Sequence, residues 1–194
     1  MSDFEILRNL IRDQAQALVE YEYKKKTIVL QEPGDRRQPA YSLKIRNSPD
    51  EVIAFRADAF PPAKDVFRNS RGECKRADFI LIASDDRVNW IVCIEMKSGN
   101  TGSGTAIEQQ LRGAQCLVAY CRAIGQEFWK NPRFLKKTNY QQRFVSVKNI
   151  GIDKRPTRIP PASGRHDAPE WMLKFNAPAK GVLQFKSLVG SRRR

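Results

Sequence analysis

The chain is poor in the residues that build most small metal and nucleophile sites. It has one histidine, His166, and four cysteines, Cys74, Cys93, Cys116 and Cys121, none of them in a Cys-x-x-Cys pair. A structural zinc site needs four clustered thiolate or imidazole ligands, so that class is excluded. Cys93 falls in an apolar run and Cys116 and Cys121 in a helical pattern; all four are expected as reduced thiols in or near the core. His166-Asp167 has no positioned serine or cysteine partner, which removes a hydrolytic triad and leaves ordinary loop chemistry. No apolar run approaches the length of a membrane span. The start of the chain, with Ser2, Asp3 and Glu5, lacks the basic-then-apolar layout of a signal peptide, so the expectation is a cytoplasmic protein without a membrane partner.

Acidic residues are also scarce: 21 Asp and Glu stand against 35 Lys and Arg, a formal charge of +14. The terminal Arg192-Arg193-Arg194 supplies only three of these charges, so the excess runs through the chain. Such a surface attracts polyanions, nucleic acid first; a merely solubilising surface is the bland alternative. At 194 residues the chain is expected to form one domain over residues 1–190, followed by a basic tail at 191–194.

Against this background one stretch carries chemistry. Phe79 to Ile82 is a buried-strand run, Asp85 to Asn89 supplies turn residues, and Trp90 to Met96 returns as a second β-rich run. Side chains alternate along a strand, so Ile91, Cys93, Glu95 and Lys97 share a face. An antiparallel hairpin turning near Arg87 brings Asp78 opposite the Glu95–Lys97 end. Two carboxylates beside a backbone oxygen can hold a hard divalent cation such as Mg²⁺, and a lysine can orient a water on it. Strands also commonly end in solvated charges, which is the plain alternative for each residue.

Ala77-Asp78 followed by Glu95-Met96-Lys97 resembles the PD-(D/E)xK nuclease superfamily, over roughly residues 70 to 125; Ala77 stands where that family's name has proline. The resemblance implies a restriction-endonuclease-like α/β fold, a mixed β-sheet flanked by helices. It implies Mg²⁺ (or Mn²⁺) held by Asp78, Glu95 and the Met96 carbonyl, with Lys97 activating water. It implies phosphodiester hydrolysis, in DNA rather than RNA, in a setting such as a defence or mobile-element system. Gln110-Leu111 looks like the glutamine–leucine pair that follows the lysine motif in many such nucleases, which makes Gln110 a secondary catalytic candidate or a surface glutamine. A first-helix glutamate often assists the metal, so Glu20 and Glu22 are candidates or solvated surface acids. Cutting both strands of a duplex would favour a homodimer or a larger protein complex. A non-catalytic nucleic-acid-binding module of the same fold is the rival reading.

The remaining pattern predicts an amphipathic helix over residues 3–22, capped by Ser2 or Asp3 and ended by Lys24–Lys26, which either terminate it or touch phosphate. A strand is predicted at Thr27–Gln31 and a hairpin pairing Tyr41–Arg46 with Val52–Ala57, with Leu43, Ile45, Ile53 and Phe55 facing the core. Residues 63–74 read as a short helix or ordered loop, with Glu73 near the site or paired with Lys75 or Arg76. A Gly-rich loop at 98–104 lacks the lysine of a P-loop and reads as a mobile lip. A helix starts at Thr105, capped with Glu108. Beyond Gly125 the chain is basic and aromatic; residues 64–76 and 130–143 would hold a nucleic-acid backbone. Strands are predicted at Phe144–Val147, Met172–Phe175 and Val182–Leu188, the last two as a terminal hairpin, with a surface loop at 154–165.

Overall fold

The computed structural model describes residues 1–33, 40–85, 87–98, 103–149, 166–177 and 180–190. The Gly-rich residues 99–102, the predicted loop at 154–165 and the tail at 191–194 lie outside the described residues. A short helix, α1 (Asp3–Leu10), opens the chain, followed by the strands β1 (Leu18–Glu22), β2 (Lys25–Glu32), β3 (Tyr41–Ser48), β4 (Glu51–Arg56), β5 (Phe79–Asp85) and β6 (Val88–Ser98). The long helix α2 (Gly104–Phe128) leads to β7 (Tyr140–Asn149), β8 (Leu173–Ala177), β9 (Lys180–Gln184) and the single turn α3 (Phe185–Val189). This is a mixed α/β domain with two mixed sheets, ordered β1-β2-β3-β9 and β4-β5-β6-β7-β8. No described helix is long and apolar enough to cross a membrane.

Alternation along the central strands explains the layering. Phe79, Leu81 and Ala83 of β5 and Trp90, Val92, Ile94 and Met96 of β6 pack into the core shared with the four-stranded sheet, beside Ile28, Leu30, Leu43 and Ile45. Their neighbours Ile80, Ile82, Ile91 and Cys93 face the other way, against Phe4, Ile6 and Leu7 of α1 and Ile107, Leu111, Ala114 and Val118 of α2. The five-stranded sheet is therefore covered by helices on one face and by a second sheet on the other, which is why its strands read as continuous apolar runs.

Several sequence expectations are corrected here. The helix predicted to Glu22 ends at Leu10, with Ile11 already extended (φ −95°, ψ 120°). Ser2 caps it in a capping box with Glu5, and Asp3 Oδ2 accepts from Leu135 N–H at 3.0 Å and Tyr140 O–H at 2.7 Å. Leu18 to Glu22 instead pairs with β2, and Lys25 and Lys26 begin β2 rather than ending a helix. The segments at 41–48 and 51–56 do not pair with each other: β3 lies between β2 and β9, and β4 pairs with β5. The chain turns a corner between sheets there, so Leu43 and Ile45 face the inter-sheet core while Ile53 and Phe55 face the helices. The predicted terminal hairpin likewise splits, β8 joining β7 and β9 joining β3, both in parallel. Ser103 rather than Thr105 caps α2, and Glu108 pairs with Arg112 at 2.9 Å.

The β1–β2 turn is Tyr23-Lys24, with φ 51° and 62°. Two left-handed residues between paired strands make the turn type that favours Asn-Gly, and ordinary side chains cost about 1 kcal/mol each there. Tyr23→Asn with Lys24→Gly should raise Tm by about 2–4 °C in a thermal melt, the gain of relieving about 1 kcal/mol net in a chain of this size.

Candidate metal and nucleic-acid site

Three of the predicted site residues converge. The β5–β6 register pairs Phe79 with Ile94, so Asp78, one residue earlier, stands opposite Glu95. Residues directly across an antiparallel pair share a face, and here it is the face of Ile80, Ile91 and Cys93. Asp78 Oδ2 accepts from Met96 N–H at 2.5 Å. In a strand the N–H and C=O of one residue leave on the same edge, so the Met96 carbonyl also leaves toward Asp78. Lys97 reaches back along its own strand to form an ion pair with Glu95 Oε1.

Glu95 is 0 % exposed, and neither of its oxygens has a well-directed hydrogen bond. Oε1 is answered by the Lys97 ammonium, whereas Oε2 has no partner. Burial pushes the Glu95 carboxyl well above the usual range, and the charge of Asp78 adds to it, with Lys97 opposing. Asp78 is raised as well, first by burial, while the Met96 N–H and Lys97 pull it down. A buried carboxylate costs several kcal/mol unless cations compensate it, and Lys97 compensates Glu95 only in part, with Oε2 and Asp78 left over. That deficit suits a hard divalent ion, and two carboxylates with one carbonyl are the oxygen set available. Among the described residues no three His, Cys, Asp or Glu side chains form a ready-made metal cluster.

The sequence reading missed Glu32. It ends β2, and its carboxyl is pushed up to about 7, first by burial and then by the charges of Asp78 and Asp58, against Arg56 and Lys97. Its Oε1 is buried with no hydrogen-bond partner. Glu32 comes from the four-stranded sheet and is within electrostatic reach of Asp78, without joining it in a cluster of three acids. Arg56 is already engaged there, gripping Asp58 through Nε at 3.0 Å and Nη2 at 2.5 Å.

The other candidates fall away from this cluster. Glu20 and Glu22 lie on β1, where they hold Lys44 at 2.6 and 3.1 Å, and Glu22 also holds Arg46 at 2.6 Å. No first-helix glutamate assists the site. Gln110 is half-buried on α2 and its side chain makes no hydrogen bond among the described residues. Its neighbour Gln109 is the engaged glutamine, accepting from Lys75 Nζ at 2.6 Å and donating to the Arg71 carbonyl at 3.0 Å. The Glu73 carboxylate makes no ion pair among the described residues; it accepts from the N–H groups of Ser70 and Arg71 in its own ordered loop, and the Glu73 carbonyl accepts from Arg76. Of the basic segment at 130–143, Arg143 is turned inward onto the Val189 carbonyl and the Trp90 ring, whereas Lys130, Arg133, Lys136 and Lys137 are exposed. His166 is buried, with Nε2 2.7 Å from the Leu188 carbonyl. Cys74, Cys93 and Cys121 are buried free thiols, and Cys116 is an exposed one.

The raised carboxyls make a pH prediction. A group whose pKa is higher folded than unfolded adds stability that is complete below its unfolded value and is lost as pH rises through its folded value. The neutral Glu95 carboxyl should thus favour the metal-free fold below the ordinary 4.5, an advantage lost as pH rises through its folded value of about 8. The expected result in EDTA is that Glu95→Gln melts above the wild type at about pH 8, by about 4–8 °C for a difference on the order of 2 kcal/mol, and that the gap closes toward about pH 5. Comparing the two proteins cancels the background of the +14 charge. Thermal melts across pH check it.

No family model, no curated protein and no solved structure matches this chain.

Proposed function

We propose that the protein is a metal-dependent nuclease that hydrolyses phosphodiester bonds, with DNA as substrate and endonucleolytic cutting as its mode. The observation that carries the reading is Glu95: a wholly buried carboxylate across from Asp78, with Oε1 paired to Lys97 and Oε2 without a partner. Asp78, Glu95 and the Met96 carbonyl would hold Mg²⁺ or Mn²⁺. A bound ion of this kind polarises the phosphate and makes its water more acidic. Lys97, tethered by its pair with Glu95, orients the attacking water and offsets charge building on the phosphate. The net charge of +14 supports a polyanionic substrate.

The chain order also supports a restriction-endonuclease-like core of the PD-(D/E)xK kind. An antiparallel hairpin, β5–β6, carries the acids; α2 crosses over the sheet; and β7 returns parallel to β6. Cutting both strands of a duplex would call for a second copy or another protein. The rival, a binding module that does not cut, is favoured by the absence of a third clustered ligand among the described residues. Circular and linear DNA, single- and double-stranded, incubated with Mg²⁺ or with EDTA separate them: opening of circles only with metal is expected, and all four substrates left intact in both conditions would refute the nuclease reading.

A further inference from the structure

A second concave site lies on the helix-covered face. It is a groove of about 440 Å³ between the end of α1, the end of β4 and the C-terminal half of α2, within the range of about 300–1,000 Å³ that holds small organic groups. Ile11 and Phe55 line it, and its mouth carries two aromatic rings, Phe60 and Tyr120, edge to face with centroids 5.4 Å apart. Tyr120 is 51 % exposed, although it packs on a core helix. The Arg76 guanidinium lies over the Phe60 ring at 5.6 Å. Arg76 commits only Nη1 to the Glu73 and Lys75 carbonyls, and its Nε is buried without a partner. Arg12, also at the groove, has no side-chain partner among the described residues.

We propose that this groove receives one unpaired nucleobase of a single-stranded nucleic acid, the ring resting against Phe60 and Tyr120 and the adjoining phosphate meeting Arg12. An apolar slot with two aromatic rings and one uncommitted cation, Arg12, at its rim matches a ligand that is flat and apolar on one side and anionic beside it. A nucleotide has that division; an aliphatic side chain of a protein lacks the anion and leaves Arg12 unanswered.

The inference rests on the nuclease reading for its link to the acidic cluster, and that link is short, made of two backbone hydrogen bonds and two residues of chain. Ala57 N–H donates to the Asp78 carbonyl at 2.8 Å, and Phe60 N–H donates to the Ala57 carbonyl at 3.2 Å. Arg76 precedes Asp78 by two residues. The two segments that set the groove's mouth therefore also set Asp78, so the base belongs to the strand presented to the acids. The substrate class this defines is single-stranded DNA or a duplex opened at the point of cutting.

Binding without metal tests the groove independently of cleavage. The probes are a thymidine oligomer and an abasic deoxyribose-phosphate oligomer of equal length, followed by fluorescence anisotropy in EDTA. Their phosphate charge is the same, so the ratio of Kd values isolates the bases. The wild type should prefer the thymidine oligomer by about tenfold or more, as expected for one stacked base. Phe60→Leu, which keeps the apolar body, and Tyr120→Ser, at an exposed ring, should each cut that ratio several-fold while melting within a few degrees of the wild type. Variants that keep the wild-type ratio, or a wild type that binds the two oligomers equally, would overturn the proposal and leave the groove to a protein side chain. A protein that shows the ratio but never cuts keeps the groove and loses the nuclease; one that cuts while its variants keep the ratio does the reverse.

Discussion

Glu95→Gln with Lys97→Met is expected to lower Mg²⁺-dependent DNA cleavage by about 10³-fold or more while DNA affinity stays within about threefold of the wild type. The pair is chosen because of burial. Lys97→Ala alone would strand the Glu95 carboxylate, which would take up a proton, so lost activity could be blamed on a rearranged hairpin. Replacing both with neutral residues of similar shape removes the charges and keeps the volume, and exchanging a buried ion pair for neutral groups is often neutral or stabilising. A folded, DNA-binding protein that does not cut is the expected outcome. Calorimetry supplies a second readout: Mn²⁺ should bind the wild type in a way that the double variant abolishes. Cleavage persisting in the double variant would refute the assignment of the acids and lysine, whatever the fold.

Gly113→Ala should destabilise the protein by about 2–4 kcal/mol and lower Tm by roughly 5–15 °C. Alanine ordinarily stabilises a helix interior over glycine by about 1 kcal/mol, so the sign itself is informative. A Cβ at Gly113 would stand 1.8 Å from the Lys75 carbonyl oxygen and 2.8 Å from its carbon. These are backbone atoms of the segment that leads into Asp78, and α2 cannot clear them without moving off the sheet. The same shift would misplace Asp78, so cleavage should fall further than stability alone accounts for. Gly104→Ala is the control: nothing lies within 4 Å of a Cβ there, and that variant should melt at or slightly above the wild type. Differential scanning calorimetry of the two variants decides it.

The acidic hairpin was legible in the sequence because every signal that defines it is local. A period-two pattern set the faces of β6, turn residues set the register, and the register put Asp78 opposite Glu95. Sheet membership was not legible. Tyr41–Arg46 and Val52–Ala57 carry the alternation of a hairpin, yet they join different sheets, because β9, from the far end of the chain, takes the place beside β3. Leu18 to Glu22 was misread because Leu18 and Tyr21 also fit helical spacing; β-branched Val19 and the paired Thr27 and Ile28 favour the strand. Glu32 was missed although its signal was present: Ile28, Leu30 and Glu32 share a face as Ile91, Cys93 and Glu95 do. Two apolar residues and a terminal acid at period two mark both carboxylates, and only the layering brings them within electrostatic reach of each other.

The parallel partnership of β3 with β9 also bears on how the chain acquires its structure. The hairpin β5–β6, helix α2 and strand β7 are consecutive and can condense from near neighbours. The four-stranded sheet needs Ser42–Arg46 to wait for Lys180–Gln184, a closure across most of the chain, and such distant pairings form slowly. During synthesis at about 5–20 residues per second, β3 therefore awaits its last neighbour, β9, for several seconds after the acidic hairpin can form. The open edge of β3 is the part that closes late, whereas Asp78, Glu95 and Lys97 come together as soon as β5 and β6 pair.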